Sequence, residues 1–387
     1  MKTRLCNFIF FTTFLTFCQN NHEAVVIDSL SKEPIEFASI FNTRHHTMSN
    51  ADGRFSFSSD LDSVIFYHTG YKKKTTTFNE LADTIYLHKR VLELDEVVVT
   101  NAKTIYQKIK DSILTNYLLE PHSETFFIRT ILRRNDTLVR LQDIQGKVHR
   151  KTAVYTGDLE LKKDDFSVRI NHMRQLGVIK DQNNIYFKFP SLYSIYSESV
   201  RLNAMGPDFE VIEKPFQSNT NIQVDFSSDK NDDTSFSEGY YIINGNDNAI
   251  LSFHVNTHFS YNRKKNTDEY SSPLKANAVI SFSKNERKDK YFMNYAKRTI
   301  TIEVKPKGAT DTTMYEIGII LHTTSSFGNE KLKSNVSEQK DIFKLKFPYN
   351  KDYWESQNEL LLTQEMQDFI KRMGSRNKEF KIRNNLD

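Results

Sequence analysis

Eleven histidines are the first residues to weigh, because imidazole serves both as metal ligand and as general base. No His-Glu-x-x-His occurs, and no histidine has a glutamate three positions on, the spacing that lets one element present two zinc ligands. Zinc-peptidase chemistry is therefore disfavoured. His254 and His258 stand four apart, but on a strand rising ~3.3 Å per residue they lie about 13 Å from each other, too far to share an ion. Asp229, Asn231 and Asp233 have the alternation of a calcium loop, yet Thr234 replaces the turn glycine and Tyr240 stands where a bidentate glutamate is needed. Asp52, beside Gly53, reads as a turn residue. There is no Gly-x-Ser-x-Gly elbow, no Gly-x-Gly-x-x-Gly and no P-loop around Gly146-Lys147. Asp164-Asp165 and Asp232-Asp233 are adjacent, so on an extended chain they point apart. The chain reads as non-enzymatic, without cofactor or metal, and a hydrolase of unrecognised type is the remaining catalytic alternative.

Charge gives a second exclusion. Lys and Arg total 53 against 49 Asp and Glu, and losing Lys2 and Arg4 with a leader lowers the net charge from +4 to +2. Such a balance does not steer a protein to nucleic acid. Basic clusters at Lys72-Lys73-Lys74, Arg263-Lys264-Lys265 and Lys371 to Arg383 read as solvated strand ends and a basic terminal helix, the last with an anionic membrane surface or glycolipid as its alternative contact. Trp354, the one tryptophan, reads with Tyr353 as an anchor packing the C-terminal helix onto the sheet, and otherwise as a platform for a sugar.

Lys2 and Arg4 precede an uncharged, phenylalanine-rich stretch from Cys6 to Phe17 that stops at Gln19-Asn20-Asn21-His22. This is a signal-peptide layout over residues 1–18, too short to span a bilayer as a helix. Export with cleavage after Cys18 is expected, with a lipid anchor on Cys18 as the alternative, and a periplasmic, outer-membrane-associated or surface location. Cys6 and Cys18 are the only cysteines, so the exported body is read as free of disulfides and thiolate chemistry.

The elements that follow the leader are short strands set off by turn chemistry. Ala24 to Ile27, Ile35 to Phe41, Phe55 to Phe57, Ser63 to His68, Lys74 to Phe78, Asp83 to Leu87 and Val97 to Thr100 succeed one another at a spacing near ten residues, and Asn50-Ala51-Asp52-Gly53 is a turn in which Gly53 takes a positive φ. That pattern predicts a small β-sandwich over residues 23–100.

The residues Val26-Ile27-Asp28, Glu33-Pro34-Ile35-Glu36-Phe37-Ala38-Ser39-Ile40, Asn50-Ala51-Asp52-Gly53-Arg54-Phe55, Thr69-Gly70-Tyr71-Lys72 and Leu94-Asp95-Glu96-Val97-Val98-Val99-Thr100 together resemble the carboxypeptidase-like regulatory domain. The resemblance implies a transthyretin-like Greek-key sandwich in a Gram-negative cell envelope, where such domains extend TonB-dependent outer-membrane transporters. A transporter barrel needs about 22 strands of about ten residues, and only 287 of the 387 residues follow Thr100. The polar C-terminal segment Lys378 to Asp387 also disfavours a small barrel, whose final strand is usually aromatic.

Residues 101–387 are read as a second, β-rich α+β domain. Ile105, Ile109, Ile113 and Tyr117 form one stripe of a helix ending before Pro121, and Glu124 to Arg133 pairs with Thr137 to Val148 across an Asn135-Asp136 turn. Further strands are expected at Tyr240 to Ile243, Ala249 to Val255, Asn277 to Ser283, Thr299 to Val304 and Tyr315 to His322, helices at Tyr193 to Val200 and Leu360 to Met373, and an exposed loop over Phe216 to Glu238. The helix, Phe127-Ile128-Arg129, the Gly239 to His254 hairpin and Tyr353-Trp354-Glu355 resemble the region following such a sandwich in other envelope proteins, although Thr130 stands where an acid would follow the arginine.

The fold class expected is mainly β: an N-terminal Greek-key β-sandwich plus a larger α+β region with a curled antiparallel sheet and flanking helices. The function expected is docking of the sandwich on another envelope protein, accessory to outer-membrane transport, with Val97, Val98 and Val99 as the partner-facing strand. The alternative is a glycan- or lipid-binding module in which the second region's curled sheet is the receptor.

Overall fold

The computed structural model describes residues 21–386 except 69, 90–97, 100–101, 153, 155–164, 181–184, 200–207, 217, 230–234, 261–267, 286–287, 325–327, 329 and 375–380. The chain is mainly β and divides into two compact units. The smaller comprises Met1–Lys89 and is completed by Asn358–Leu361; the larger comprises Arg90–Gln357 and Leu362–Asp387.

In the smaller unit β1 (Asn21–Asp28), β4 (Arg54–Ser58) and β7 (Thr84–Leu87) form one sheet in the order β4-β1-β7. A second sheet, β3-β2-β5-β6, is built from β2 (Ser39–Phe41), β3 (His46–Met48), β5 (Ser63–Tyr67) and β6 (Lys74–Thr77). Alternation along the strands sends Ala24, Val26, Phe55, Phe57, Ile85 and Leu87 from the first sheet, and Ile40, Val64 and Phe66 from the second, into one apolar core. Phe55 and Phe66 meet there edge to face at 5.7 Å. β3 lies in a stretch where no strand is expected from sequence, and three residues are too few for alternation to be visible.

The turn before β4 depends on two side-chain choices. Asn50 Oδ1 accepts from the backbone N–H groups of Asp52 and Arg54, and Gly53 adopts φ +73°. A Cβ at Gly53 would sit 2.6 Å from the Val26 carbonyl and 2.9 Å from Pro34 Cβ, so glycine is required by space as well as by backbone angle. Asp28, which ends β1, accepts from the N–H groups of Leu30 and Ser31 and from Tyr71 Oη at 2.8 Å, with Lys89 Nζ at 3.1 Å. Burial alone would push its carboxyl up, but these four donors hold it below the usual carboxylate range.

The larger unit runs β8 (Val98–Val99), α1 (Ala102–Asn116), β9 (His122–Arg134), β10 (Thr137–Arg150), β11 (Phe166–Lys180), α2 (Leu192–Ser199), β12 (Glu210–Phe216), β13 (Ser218–Ser227), β14 (Ser235–Asn244) and β15 (Ile250–Phe259). It continues through β16 (Tyr270–Asn285), β17 (Lys290–Lys305), β18 (Thr313–Thr323), α3 (Lys351–Ser356), α4 (Gln364–Gly374) and β19 (Lys381–Asn384). Its strands form one antiparallel sheet of 12, ordered β19-β11-β10-β9-β18-β17-β16-β15-β14-β13-β12-β8. Val98 and Val99 pair with Glu213 and Ile212, so they form the edge of this sheet and do not close the sandwich, neither of whose sheets contains them. The apolar run predicts a strand correctly but carries no information about which sheet it joins.

Cross-strand register gives the sheet two chemically different faces. Ile128, Leu321, Ala296, Ile280, Phe253, Tyr241 and Val224 form one continuous apolar row across seven strands. This apolar face is covered by Ile105, Ile109 and Ile113 of α1 and by Leu192, Ile195 and Tyr196 of α2. The adjacent row points to the other face and is dominated by polar and charged residues: Asp225, Tyr240, His254, Val279, Lys297, Ile320, Arg129, Asp143 and Arg174. That two-faced pattern corrects the loop expected over Phe216 to Glu238, part of which is β13 and β14. Ile222, Val224 and Phe226 alternate inward while Ser, Asn, Gln and Asp face outward, giving a strand with loop-like composition. Asn135 and Asp136 both take positive φ, 44° and 62°, as a two-residue hairpin turn requires.

Candidate functional site

The four-stranded sheet of the sandwich has two edges, β3 and β6. β6 reads Lys-Thr-Thr-Thr, a polar strand with a lysine, which discourages another chain from pairing there. The β3 edge is occupied by Asn358–Leu361. Leu360 bridges Met48 in parallel, Thr47 Oγ1 donates to the Asn358 carbonyl, and Asn358 Nδ2 donates to Ser58 Oγ at 3.4 Å. Met48 and Leu360 are only 1% and 3% exposed, so this edge combines main-chain pairing with burial of an aliphatic side chain. Strand addition works through those two contributions. Sequence reasoning did not find it, because the two segments are some 300 residues apart.

The larger unit concentrates its buried charge at one end of the sheet. Arg129 donates through Nε and Nη2 to the two oxygens of Asp143, and Arg174 donates through Nε and Nη2 to Oδ2, all within 3.0 Å. Desolvation opposes the Asp143 charge, but the two guanidinium groups keep its carboxyl below the usual range. The acid missing after Arg129 is thus supplied from the neighbouring strand. Trp354 of α3 covers Arg174, and Tyr353 stacks on His172 at 3.7 Å, so both aromatics serve as an anchor of α3 on the sheet.

On the apolar face, Arg150 Nη2 approaches Glu124 Oε1 to 2.7 Å with both side chains fully buried. Burial pushes the Glu124 carboxyl up to about 7, against the pull of Arg150. The Tyr196 ring lies 5.7 Å from the Arg150 guanidinium, and burial raises its phenol well above the ordinary value. His122, at the start of β9, is lowered to about 3, chiefly by burial and then by Arg150.

A nucleophile-like pair is also present. Ser123 Oγ lies 3.0 Å from His149 Nδ1 across β9 and β10. Its proton goes to the Glu330 carbonyl at 2.6 Å, and burial, followed by Lys331, lowers the imidazole pKa. A serine already donating to a carbonyl, beside a weakened base, is arranged for packing and not for attack.

The residues singled out from sequence fall as follows. Val98 and Val99 lie on the sheet-edge strand β8, and Val97 is outside the described residues. His254 and His258 occupy one face of β15, His254 stacked on Tyr240 at 4.4 Å and His258 on Phe236 at 6.2 Å. Asn231, Asp232, Asp233, Asp164 and Arg263-Lys264-Lys265 are outside the described residues, while Asp165 pairs with Lys151. Among the described residues no group of three or more His, Cys, Asp and Glu could hold a metal ion, and no helix is long and apolar enough to cross a membrane.

No family model matches this chain, and no curated protein does. Among solved structures, one described as lipid–protein interactions in lipovitellin is similar over 67% of this chain and 31% of its own, at 10% identity and a TM-score of 0.23. This chain therefore spans about a third of that protein's length, and a likeness so slight carries no functional argument.

Proposed function

We propose that this chain is a non-enzymatic, exported cell-envelope protein whose β-sandwich docks on another envelope protein by strand addition. The observation that carries this reading is the β3 edge, which accepts an extended segment at Met48 and buries its leucine. The export signal read in residues 1–18 and the sandwich's resemblance to an extension of outer-membrane transporters support the compartment. The way Ser123 is bonded supports a role without chemistry. The test is photo-crosslinking in intact cells from a benzoylphenylalanine placed at Thr43 or Lys72, followed by mass spectrometry. Crosslinks to one envelope protein from either position are expected; their absence from both, with the chain present at normal abundance, sinks the reading.

A second reading rests on a separate observation. Past α1 and α2 the apolar face of the large sheet continues as half-buried Val255, Ile300, Ile302 and Ile319, beside a small cleft lined by Leu132, Val139, Phe187 and Tyr315 and equally by Arg134 and Arg140. Such a face suits an apolar ligand. Saturable binding of a fluorescent fatty acid by the whole chain, lost on Val139→Trp, supports it, and equal binding by that variant counts against it.

A further inference from the structure

We infer that the cleft beside Tyr315 is the head-group end of a site for a long-chain fatty acid, with the carboxylate against Arg134 and the acyl chain laid along Ile302 and Ile300. The inference rests on the apolar-ligand reading above and adds to it the head group and the direction in which the chain lies.

Register places the charged and the apolar parts side by side on one face of the sheet. Ile302, Tyr315 and Arg134 stand opposite one another on β17, β18 and β9. In the neighbouring row of the same face Ile300, Ile317, Leu132 and Arg140 do so on β17, β18, β9 and β10. Adjacent strands lie about 4.8 Å apart, so Ile302 is about 10 Å along its row from Arg134. Val255 on β15, two strands beyond β17, carries the apolar face about 10 Å further. The result is a one-ended arrangement: an apolar track that runs out at two arginines.

The charged end is built into the fold. Arg140 is 3% exposed, and its Nε, Nη1 and Nη2 donate to the carbonyls of Val178, Phe187 and Ile179, which fix the guanidinium without neutralising it. Phe187 in turn lies against Tyr315 at 4.1 Å, so the same contacts that hold Arg140 also wall the cleft. Arg134 lines the cleft half-buried, and no acidic residue is among those that line it. A carboxylate entering there meets the planar donor fork of Arg134 in a partly desolvated setting, where charge-assisted hydrogen bonds are strong.

Size decides where the two halves of the ligand go. The cleft holds about 270 Å³, counting the part open to solvent, less than the space that encloses a whole drug-sized ligand. A carboxylate and its first carbons fit inside it; a bulky head group does not. The rest of the chain lies outside, where half-buried Ile302 and Ile300 offer apolar area that water still reaches.

The experiment titrates cis-parinaric acid, and the alcohol with the same polyene chain, into the whole chain at pH 8 and reads the rise in polyene fluorescence. The two probes differ in head charge alone. The acid is expected to bind saturably and about tenfold or more tighter than the alcohol, the range that a hydrogen bond to a charged group supplies. Arg134→Gln should remove that preference and leave the affinity for the alcohol unchanged, whereas Ile302→Gln should weaken both probes alike. Near-UV circular dichroism establishes that each variant is folded. Should Arg134→Gln misfold, Val139→Trp, which fills the cleft, takes its place, and acid binding that survives it overturns the assignment. Equal affinity for acid and alcohol, both abolished by Val139→Trp, overturns the inference and leaves the apolar-ligand reading standing. An acid preference that persists in folded Arg134→Gln overturns the placement of the head group. Binding of neither probe removes the inference together with the reading it rests on.

Discussion

Arg174 holds its guanidinium 4.5 Å over the ring of Trp354 while two of its nitrogens donate to a single oxygen of Asp143, at 2.8 and 2.6 Å. The ring shields an ion cluster in which the side chains of Arg129, Asp143 and Arg174 are 1%, 0% and 7% exposed. Asp143→Ala removes the carboxylate that two buried guanidinium groups share, and is expected to cost about 3–5 kcal/mol in urea unfolding of the larger unit. Trp354→Ala opens a cavity over Arg174 and should cost a similar amount, about 3–5 kcal/mol. Because Trp354 acts on Asp143 through Arg174, the double variant should cost less than the sum of the two.

Gly53 and Gly308 make a controlled comparison. Both adopt positive φ, +73° and +75°, but a Cβ at Gly308 meets nothing within 4 Å whereas at Gly53 it meets the Val26 carbonyl at 2.6 Å. Gly308→Ala should cost about 1 kcal/mol from backbone strain alone. Gly53→Ala should cost more than about 2 kcal/mol, since β1 or the turn must also move. Thermal midpoints of the two variants decide this, and equal shifts would show that the backbone angle alone matters.

Tyr71→Phe deletes one donor to Asp28 and leaves the ring, which packs on the sandwich core and lies edge-on to His68 at 5.2 Å. A charged acceptor loses one of its partners, so the expected cost is about 1–2 kcal/mol in the sandwich transition, read by urea titration. The Asp28 carboxyl should also move up towards its ordinary value, which carbon-13 NMR of the aspartate side chain detects.

How far the sequence could be read depended on how local the signal was. The sandwich strands and the β9–β10 turn were legible because turn residues act on their own neighbours: Asn50 on Arg54, Gly53 on its own φ, Asn135 and Asp136 on theirs. The Arg129–Asp143 pair was not. Counting from Arg134 opposite Thr137, an unbroken hairpin would set Arg129 against Gln142 and place Asp143 on the apolar face. A register shift between Leu138 and Arg140 moves the strand by one residue and brings Asp143 opposite Arg129. No residue type near Val139 announces that bulge. β13 was illegible for a different reason: its outward residues are those of a loop, and only the Ile222, Val224, Phe226 alternation marks it. The occupied β3 edge lay beyond any local pattern, since Asn358–Leu361 has no strand composition and its partner is a three-residue strand.

The buried cluster around Glu124 should give the larger unit opposed pH limbs. In the folded chain burial raises the Glu124 carboxyl from 4.5 to about 7. The folded state then holds a proton that the unfolded chain releases, so this group's favourable contribution is complete below pH 4.5 and is lost as pH rises through 7. His122 works the other way: burial lowers its imidazole from 6.5 to about 3, so its contribution is present above 6.5 and is lost as pH falls towards 3. The two opposed slopes put maximum stability near pH 5 to 6. Between pH 5 and 6.5 the two contributions offset each other, so from pH 5 to 8 the wild type should change by less than about 1 kcal/mol. The His122→Asn chain, which keeps only the Glu124 group, should instead lose about 2–3 kcal/mol, at ~1.4 kcal/mol per pKa unit. Glu124→Gln cannot ionise and should flatten that alkaline limb while leaving the acid limb in place, and His122→Asn should do the reverse. Urea titrations at pH 4, 5, 6, 7 and 8 on the three chains measure both limbs. A His122→Asn chain whose midpoint is constant from pH 5 to 8 would show that Arg150 keeps Glu124 ionised throughout, making the pair a permanent buried salt bridge.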